Sequence, residues 1–308
     1  MPSIILDSGA FSAWIKQETI DIVGYTEYCL QVLPHIDYVV NLDVIPGKFG
    51  MKSIHPELRN KAAQEGWDNY LYMLDAGIPK DMLIHVFHQG DDIKWLERML
   101  AHGMKYIGIS PANDCSTNER ILWLDSIMPW LTDENGYPTV KFHGFAATSL
   151  RLIWRYPWFS VDSTSWVLFS RYGTVYVPYA TANGEYIYNR NPWMVFTSNR
   201  SKKLYREGQR HIDTFPGAVR KRILNYFESK GFSMGISDII EVEEGYKPKE
   251  NESWFDKESR KLEIIIEPGL ANHYYQRDLI NIQYHIDLMN AIPPWPTKAW
   301  ERKRGIRG

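Results

Sequence analysis

Short apolar runs alternate with segments of helical period through the first half of the chain. SIIL, YVVNL, MLIHVF, KYIGI and TVKFH read as buried parallel strands. Between them the apolar spacing shifts to a helical period, predicting helices over 21–33, 55–76, 91–102, 116–130 and 148–156. Ser116–Thr117 ahead of Glu119 has the form of a capping start, and Gly77 and Gly103 stand where helices stop. Strand and helix taking turns this regularly imply a parallel sheet with its crossovers packed outside. An open doubly wound sheet and a closed (β/α)8 barrel both satisfy the pattern.

The polar residues favour the barrel. Each apolar run ends in a group able to do chemistry: Asp7 after IIL, Asp43 after VVNL, His88–Gln89 after IHVF, Ser110 after YIGI, His143 after VKF and Asp162 after FSV. In a barrel, strand C-termini converge on one mouth, and active sites lie there. Any one of these residues alone could simply begin a loop or cap a helix. The expected fold is α/β: a (β/α)8 TIM-like barrel with insertions and a modified, basic C-terminal half, forming one catalytic domain over 1–308.

After residue 166 the pattern changes. Two alternating aromatic runs between 175 and 196 flank Asn183–Gly184, a dipeptide that favours a tight hairpin. Residues 199–222 then carry eight Lys or Arg against two acids, and 298–308 add five more against Glu301 alone. Between them, 241–261 reads as a polar, mobile excursion, followed by the apolar strand LEIIIE. The region 167–260 therefore carries an aromatic hairpin and basic insertions suited to nucleic acid.

Composition adds limits. The chain has 308 residues, 44% hydrophobic and 23% charged, with a net charge of -2, so any nucleic-acid surface must be local. Cys29 and Cys115 are too few for a disulfide framework or a zinc site of CxxC type. No signal peptide or bilayer-length apolar run is present in the sequence, which points to the cytoplasm and no membrane partner.

The strand ends suggest a pocket. Asp7 in LDSGAFSAW is followed by small residues, Ser8 among them, that would let a planar ligand approach the backbone, with Phe11 or Trp14 as a cover. Asp43 could accept two parallel N–H bonds from an amidine-like edge. Gln89 can both donate and accept, and Gly108, beside Ser110, could expose backbone groups. Asp162 and Asp7 would make a carboxylate pair, the recurring apparatus of glycosidic chemistry. The alternatives are local turns, with Asp7 bonding backbone amides and Asp162 bonding the hydroxyls that follow it. His85 and His88 point to opposite strand faces, so at most one joins His143, and no metal is expected.

LDSGAFS resembles the DSGGFQ motif of tRNA-guanine transglycosylases. NLD, VFHQG and YIGIS follow in that family's order, and residues 143–166 resemble its GVGxPEDLxxxVxxGVDxFD segment. The resemblance covers roughly residues 3–166 and is closest to the shorter viral, DpdA-type enzymes, which exchange guanine in DNA for a 7-deazaguanine such as preQ0. It implies a DNA-guanine transglycosylase working by double displacement, with Asp162 as nucleophile and Asp7 as proton carrier. Asp43, Gln89, Gly108, Ser110, His143, Phe11 and Ser8 would bind the base. Lys202, Lys203, Arg206, Arg210, Arg220, Lys221 and Arg222 would hold phosphates.

Two departures stand out. The family's CxCxxC zinc site is absent, so no cofactor beyond the free base is expected. Ser165 occupies the position of the tRNA enzyme's nucleophile, which leaves Asp162 as the expected nucleophile. Action on tRNA, or a non-catalytic nucleic-acid-binding role in which the hairpin stacks on bases, remains as an alternative. The expected partners are double-stranded DNA and the free base, in the host cytoplasm if the source is viral. The sequence leaves open which deazaguanine is used and whether the protein is a homodimer.

Overall fold

A computed structural model describes residues 3–47, 54–112, 114–181, 183–201, 205–206 and 209–301. The chain divides into two compact units, Met1–Ser163 with Pro294–Gly308, and Thr164–Pro293. The boundary falls at the change of pattern seen in the sequence.

The first unit holds six parallel strands, β1 (Ile5–Leu6), β2 (Tyr38–Val40), β3 (Leu83–His88), β4 (Tyr106–Ser110), β5 (Lys141–Gly144) and β6 (Ser160–Val161). They lie in the sheet in chain order, β1 to β6. A doubly wound sheet reverses its order at a switch point, and this one does not. The sheet curls as a half-barrel, so the architecture is mixed α/β.

All five predicted helices form, within two residues of the expected ends: α2 (Ile22–Val32), α3 (Pro56–Asp75), α4 (Ile93–Ala101), α5 (Thr117–Leu131) and α6 (Leu150–Arg155). Local chemistry sets several starts. Asp21 accepts from the Gly24 amide at 2.8 Å, and Ser116 with Glu119 completes a capping box ahead of α5. One further helix, α1 (Ala10–Lys16), escaped the sequence reading because seven residues give too few turns for a period.

The core lies between sheet and helices. Val39, Leu83, Phe87, Ile107, Ile109 and Phe142 from the strands meet Trp67, Tyr70 and Met73 of α3, Trp95, Leu96 and Met99 of α4, and Ile121, Leu124 and Met128 of α5. Full burial of such a side chain contributes about 1.5–3 kcal/mol. The C-terminal segment returns to this unit. Trp300 is buried and donates its amide to the Gly136 carbonyl at 2.7 Å, while Lys298 donates to the carbonyls of Ile153 and Tyr156. Residues 302–308 of the basic tail lie outside the described residues.

The second unit begins with α7 (Ser165–Arg171) and continues through β7 (Thr174–Val177), β8 (Tyr179–Ala180), β9 (Tyr186–Ile187) and β10 (Trp193–Phe196). β7 pairs antiparallel with β10 and β8 with β9, and Gly184 adopts φ 85°, so the predicted hairpin forms around Asn183–Gly184. β11 (Tyr205–Arg206) and β12 (Gln209–His211) extend the sheet, followed by α8 (Gly217–Ser229). The basic segment 199–222 is thus split between strands and a helix.

A second sheet joins β13 (Ile236–Glu241), β14 (Glu252–Asp256) and β15 (Lys261–Glu267), and α9 (Tyr274–Ala291) closes the unit. β14 corrects the expectation of an irregular excursion over 241–261. ESWFD is too short and too acidic to read as a strand, yet β15 supplies its antiparallel partner. Among the described residues, no helix is long and apolar enough to cross a membrane.

Candidate active site

The C-terminal ends of the parallel strands carry a group of interacting side chains. Asp7 follows β1, and its Oδ1 accepts from the Ser8 amide at 3.0 Å. Gly9 turns the chain at φ 73°, a conformation that favours glycine, and α1 begins directly after it. Ser8 is buried; its hydroxyl accepts from the Ala10 amide at 3.2 Å and donates to Asp43 Oδ1 at 3.4 Å. Burial, and then the negative charges of Asp43 and Asp162, raise the Asp7 carboxyl above its ordinary pKa. Asp7 also keeps a face open to solvent.

Asp162 follows β6. Its Oδ1 accepts from the Ala146 amide at 2.8 Å and lies 3.6 Å from His143 Nε2. Burial pushes the Asp162 carboxyl upward, but the hydrogen bond and charge of His143, together with backbone amides, hold it below the ordinary value. The side chain remains 56% exposed to solvent. Ala146 donates from φ 50°, a strained backbone for a residue with a side chain, worth about 1–3 kcal/mol. His143 is buried, and its Nδ1 meets Ser160 Oγ at 2.5 Å, which in turn meets the Tyr106 hydroxyl at 2.5 Å.

Asp43 follows β2 and is gripped from behind. Its Oδ2 lies 2.8 Å from His88 Nε2, whose ring presents Nδ1 to Asp91 Oδ2 at 3.5 Å. The side chains of His88, Asp43 and Asp91 are 17%, 11% and 5% exposed. Burial opposes charge on His88, but hydrogen bonds and attraction from the two carboxylates outweigh it and hold its pKa at about 10. His88 is therefore an imidazolium at neutral pH. A carboxylate has about four lone-pair sites; His88 and Ser8 use one on each oxygen, which leaves one on each for a ligand.

Other expected residues take different places. Gln89 accepts at Oε1 from the Ala112 amide at 3.0 Å, so its side chain holds the loop after β4. Ser110 is partly buried at the end of β4, and its carbonyl accepts from the Gln89 amide at 2.9 Å. Gly108 does not open the backbone to space. A Cβ there would lie 2.7 Å from the Phe145 ring and 3.2 Å from Val86. Gly108→Ala is expected to destabilise by about 1–3 kcal/mol through overpacking, read as a lowered thermal midpoint. Phe11 is exposed on α1 and tilts against Trp14 at a ring separation of 5.9 Å.

Of the basic residues, Arg220, Lys221 and Arg222 are exposed on α8, Arg220 pairing with Asp213 at 3.1 Å. Arg210 donates to the Thr214 carbonyl and lies over the Phe215 ring. Arg206 belongs to β11, its side chain outside the described residues, as Lys202 and Lys203 are altogether. Ser165 starts α7 and hydrogen-bonds the Tyr176 side chain.

The structure thus brings Asp7, Ser8, Asp43, His143 and Asp162 into one network. Sequence reading missed His88 as a charged member, together with Asp91, Ala146, Ser160 and Tyr106. The signal for the first pair was the His-x-x-Asp spacing across the turn after β3. Among the described residues, no group of three or more His, Cys, Asp or Glu could hold a metal ion. No protein-family model matches the chain, and no curated protein matches it.

Proposed function

We propose that this protein is a base-exchange transglycosylase that replaces guanine in DNA with a free 7-deazaguanine, on an incomplete (β/α)8 TIM-like scaffold. The observation that carries the reading is the meeting of three carboxylates, from the ends of β1, β2 and β6, at one end of a parallel sheet. Their environments differ as two-step glycosidic chemistry requires. Asp162 is held anionic and open, suited to attack C1′ of a flipped-out nucleotide from the face opposite the base. The C1′–N9 bond breaks, its electron pair leaves with guanine, and Asp7, its carboxyl raised above the ordinary pKa by burial and by Asp43 and Asp162, supplies the proton. The incoming base then gives its N9 proton back to Asp7, forms the new bond to C1′ and releases Asp162, restoring the original configuration.

Asp43 would read the N1–H and exocyclic N–H edge shared by both bases, using the lone pair left on each oxygen. Extrusion of the base costs a few kcal/mol, which exposed cations such as Lys221 and Arg222 would offset through phosphate contacts. His143 would shape the site beside Asp162. The proton carrier and nucleophile predict a bell-shaped pH dependence of kcat/KM. Activity falls at low pH as Asp162 takes a proton and at high pH as Asp7 loses one; Asp7→Asn should remove the alkaline limb.

The direct test incubates the protein with duplex DNA carrying labelled guanine, with and without preQ0, and runs tRNA in parallel. Release from DNA that depends on Asp162 supports the proposal. Release from tRNA alone would move the substrate to RNA, and no release from either would reject the exchange.

A further inference from the structure

Three polar side chains lie on one face of the parallel sheet. Side chains alternate across a strand, so Tyr106, His143 and Ser160 point away from the helix-packed side that takes Ile107, Ile109 and Phe142. Ser160 stands opposite His143 in register, and Tyr106 stands opposite Lys141, two residues before His143. The Tyr106 ring reaches past β5 to bring its hydroxyl 2.5 Å from Ser160 Oγ, itself 2.5 Å from His143 Nδ1. Aromatic rings hold this line in place. Tyr38 and Phe159 meet the Tyr106 ring edge-on at 4.8 and 5.2 Å, and Phe145 meets the imidazole at 4.5 Å. Asp162 lies at the far end, its Oδ1 3.6 Å from His143 Nε2.

Counting protons gives the chain a direction. A neutral imidazole carries one N–H and one lone pair, and each hydroxyl donates once. If Nδ1 held the proton, a bare Nε2 would face the Asp162 carboxylate, and Ser160 would turn its own proton to Tyr106. The Tyr106 hydroxyl, buried and with no other hydrogen-bond partner among the described residues, would then have nowhere to donate. In the opposite direction every proton is used. Tyr106 donates to Ser160, Ser160 donates to His143 Nδ1, and Nε2–H faces Asp162. Burial raises the Tyr106 pKa to about 12, so the chain starts from a donor at neutral pH. A charged ring also carries hydrogen on Nε2, so Asp162 meets an N–H in either state.

We propose that Tyr106 and Ser160 are positioning residues that fix neutral His143 in its Nε2–H tautomer, and so keep a hydrogen-bond donor turned to Asp162. The role given to Asp162 rests on the base-exchange reading; the tautomer does not. The 3.6 Å contact is longer than a hydrogen bond, and such contacts often tighten once substrate fills a site. An imidazole held in one tautomer and walled by rings can close that gap without first moving a proton. Electrostatic stabilisation depends on donors placed in advance in this way. The other tautomer would set a lone pair against the carboxylate and push it from its place.

Nitrogen-15 NMR of the imidazole rings in the full chain tests this, with the His143 signal identified by its loss in His143→Gln. Measured where the ring is neutral, wild type should show the Nε2–H pattern. Asp162→Asn removes the carboxylate's own pull on the proton, and the pattern should persist. Adding Ser160→Ala or Tyr106→Phe to Asp162→Asn should give a mixture of both tautomers with unchanged circular dichroism. An Nδ1–H pattern in wild type, loss of the Nε2–H pattern in Asp162→Asn alone, or its survival in either double variant would overturn the proposal. With Asp162 intact, Ser160→Ala should lower kcat for exchange by up to about tenfold, the worth of one hydrogen bond. The KM for the base should not change, and Ser160→Thr should restore the rate. A Ser160→Ala rate equal to wild type would overturn the positioning role. Wild type that shows these tautomers but exchanges no base would reject the transglycosylase reading and leave the hydrogen-bond chain standing.

Discussion

Asp162→Asn is expected to lower base exchange by about 10,000-fold or more, the scale seen when a covalent nucleophile is removed. The amide keeps the size of the side chain and can still accept from the Ala146 amide, so folding should persist. What it lacks is a charged oxygen able to bond C1′. Binding of the free base, assigned to Asp43, should hardly change, so the loss belongs to kcat rather than to base affinity. Denaturing gels of wild-type protein mixed with DNA and no incoming base should show a covalent adduct, absent from the variant. Activity within tenfold of wild type would place the nucleophile elsewhere. Ser165 would not be the obvious heir, because it lies at the start of α7 and is engaged with Tyr176.

His88→Phe is expected to destabilise the first unit strongly. It removes the cation between Asp43 and Asp91, both nearly buried, and leaves two carboxylates facing an apolar ring. Breaking a buried ion pair from one side costs about 3–5 kcal/mol. The direction with pH is specific. The pKa of His88 stands at about 10 in the folded protein against an ordinary value of 6.5. Its contribution is therefore complete below about pH 6.5, declines as pH rises and is gone above pH 10. Chemical denaturation from neutral to alkaline pH should show that decline in the wild type and not in His88→Phe. Adding Asp91→Asn to the variant removes one stranded charge and should recover part of the loss. Equal stability of His88→Phe and wild type at neutral pH would rule out the ion-pair account.

How much of this was legible in the sequence depends on the range of the interaction. The strands and five helices were readable because apolar period and caps such as Ser116–Glu119 act within a few residues. The polar strand ends were readable for the same reason, since a carboxylate after an apolar run is a local anomaly. That Asp7, Asp43 and Asp162 would share one site was expected from a barrel mouth, and the curl of the sheet is what brings them together. Gly108 was misread because the sequence shows a missing side chain but not the Phe145 ring that fills its space. Gln89 looked free to bind a base, and the Ala112 amide that engages it comes from another loop. The charge on His88 depends on carboxylates on either side of it, 45 residues before and three after in the chain.

One consequence of the strand order concerns synthesis. Asp7 and Asp162 follow the first and last strands of the sheet, which in a flat arrangement would stand about 24 Å apart at ordinary strand spacing. The ribosome delivers Asp7 almost at once and Asp162 only after β6. A nascent chain halted before that point holds Asp7 and, past β3, the Asp43–His88–Asp91 cluster, but not Asp162. On the proposed mechanism, exchange would have to wait until the last strand of the arc is laid down.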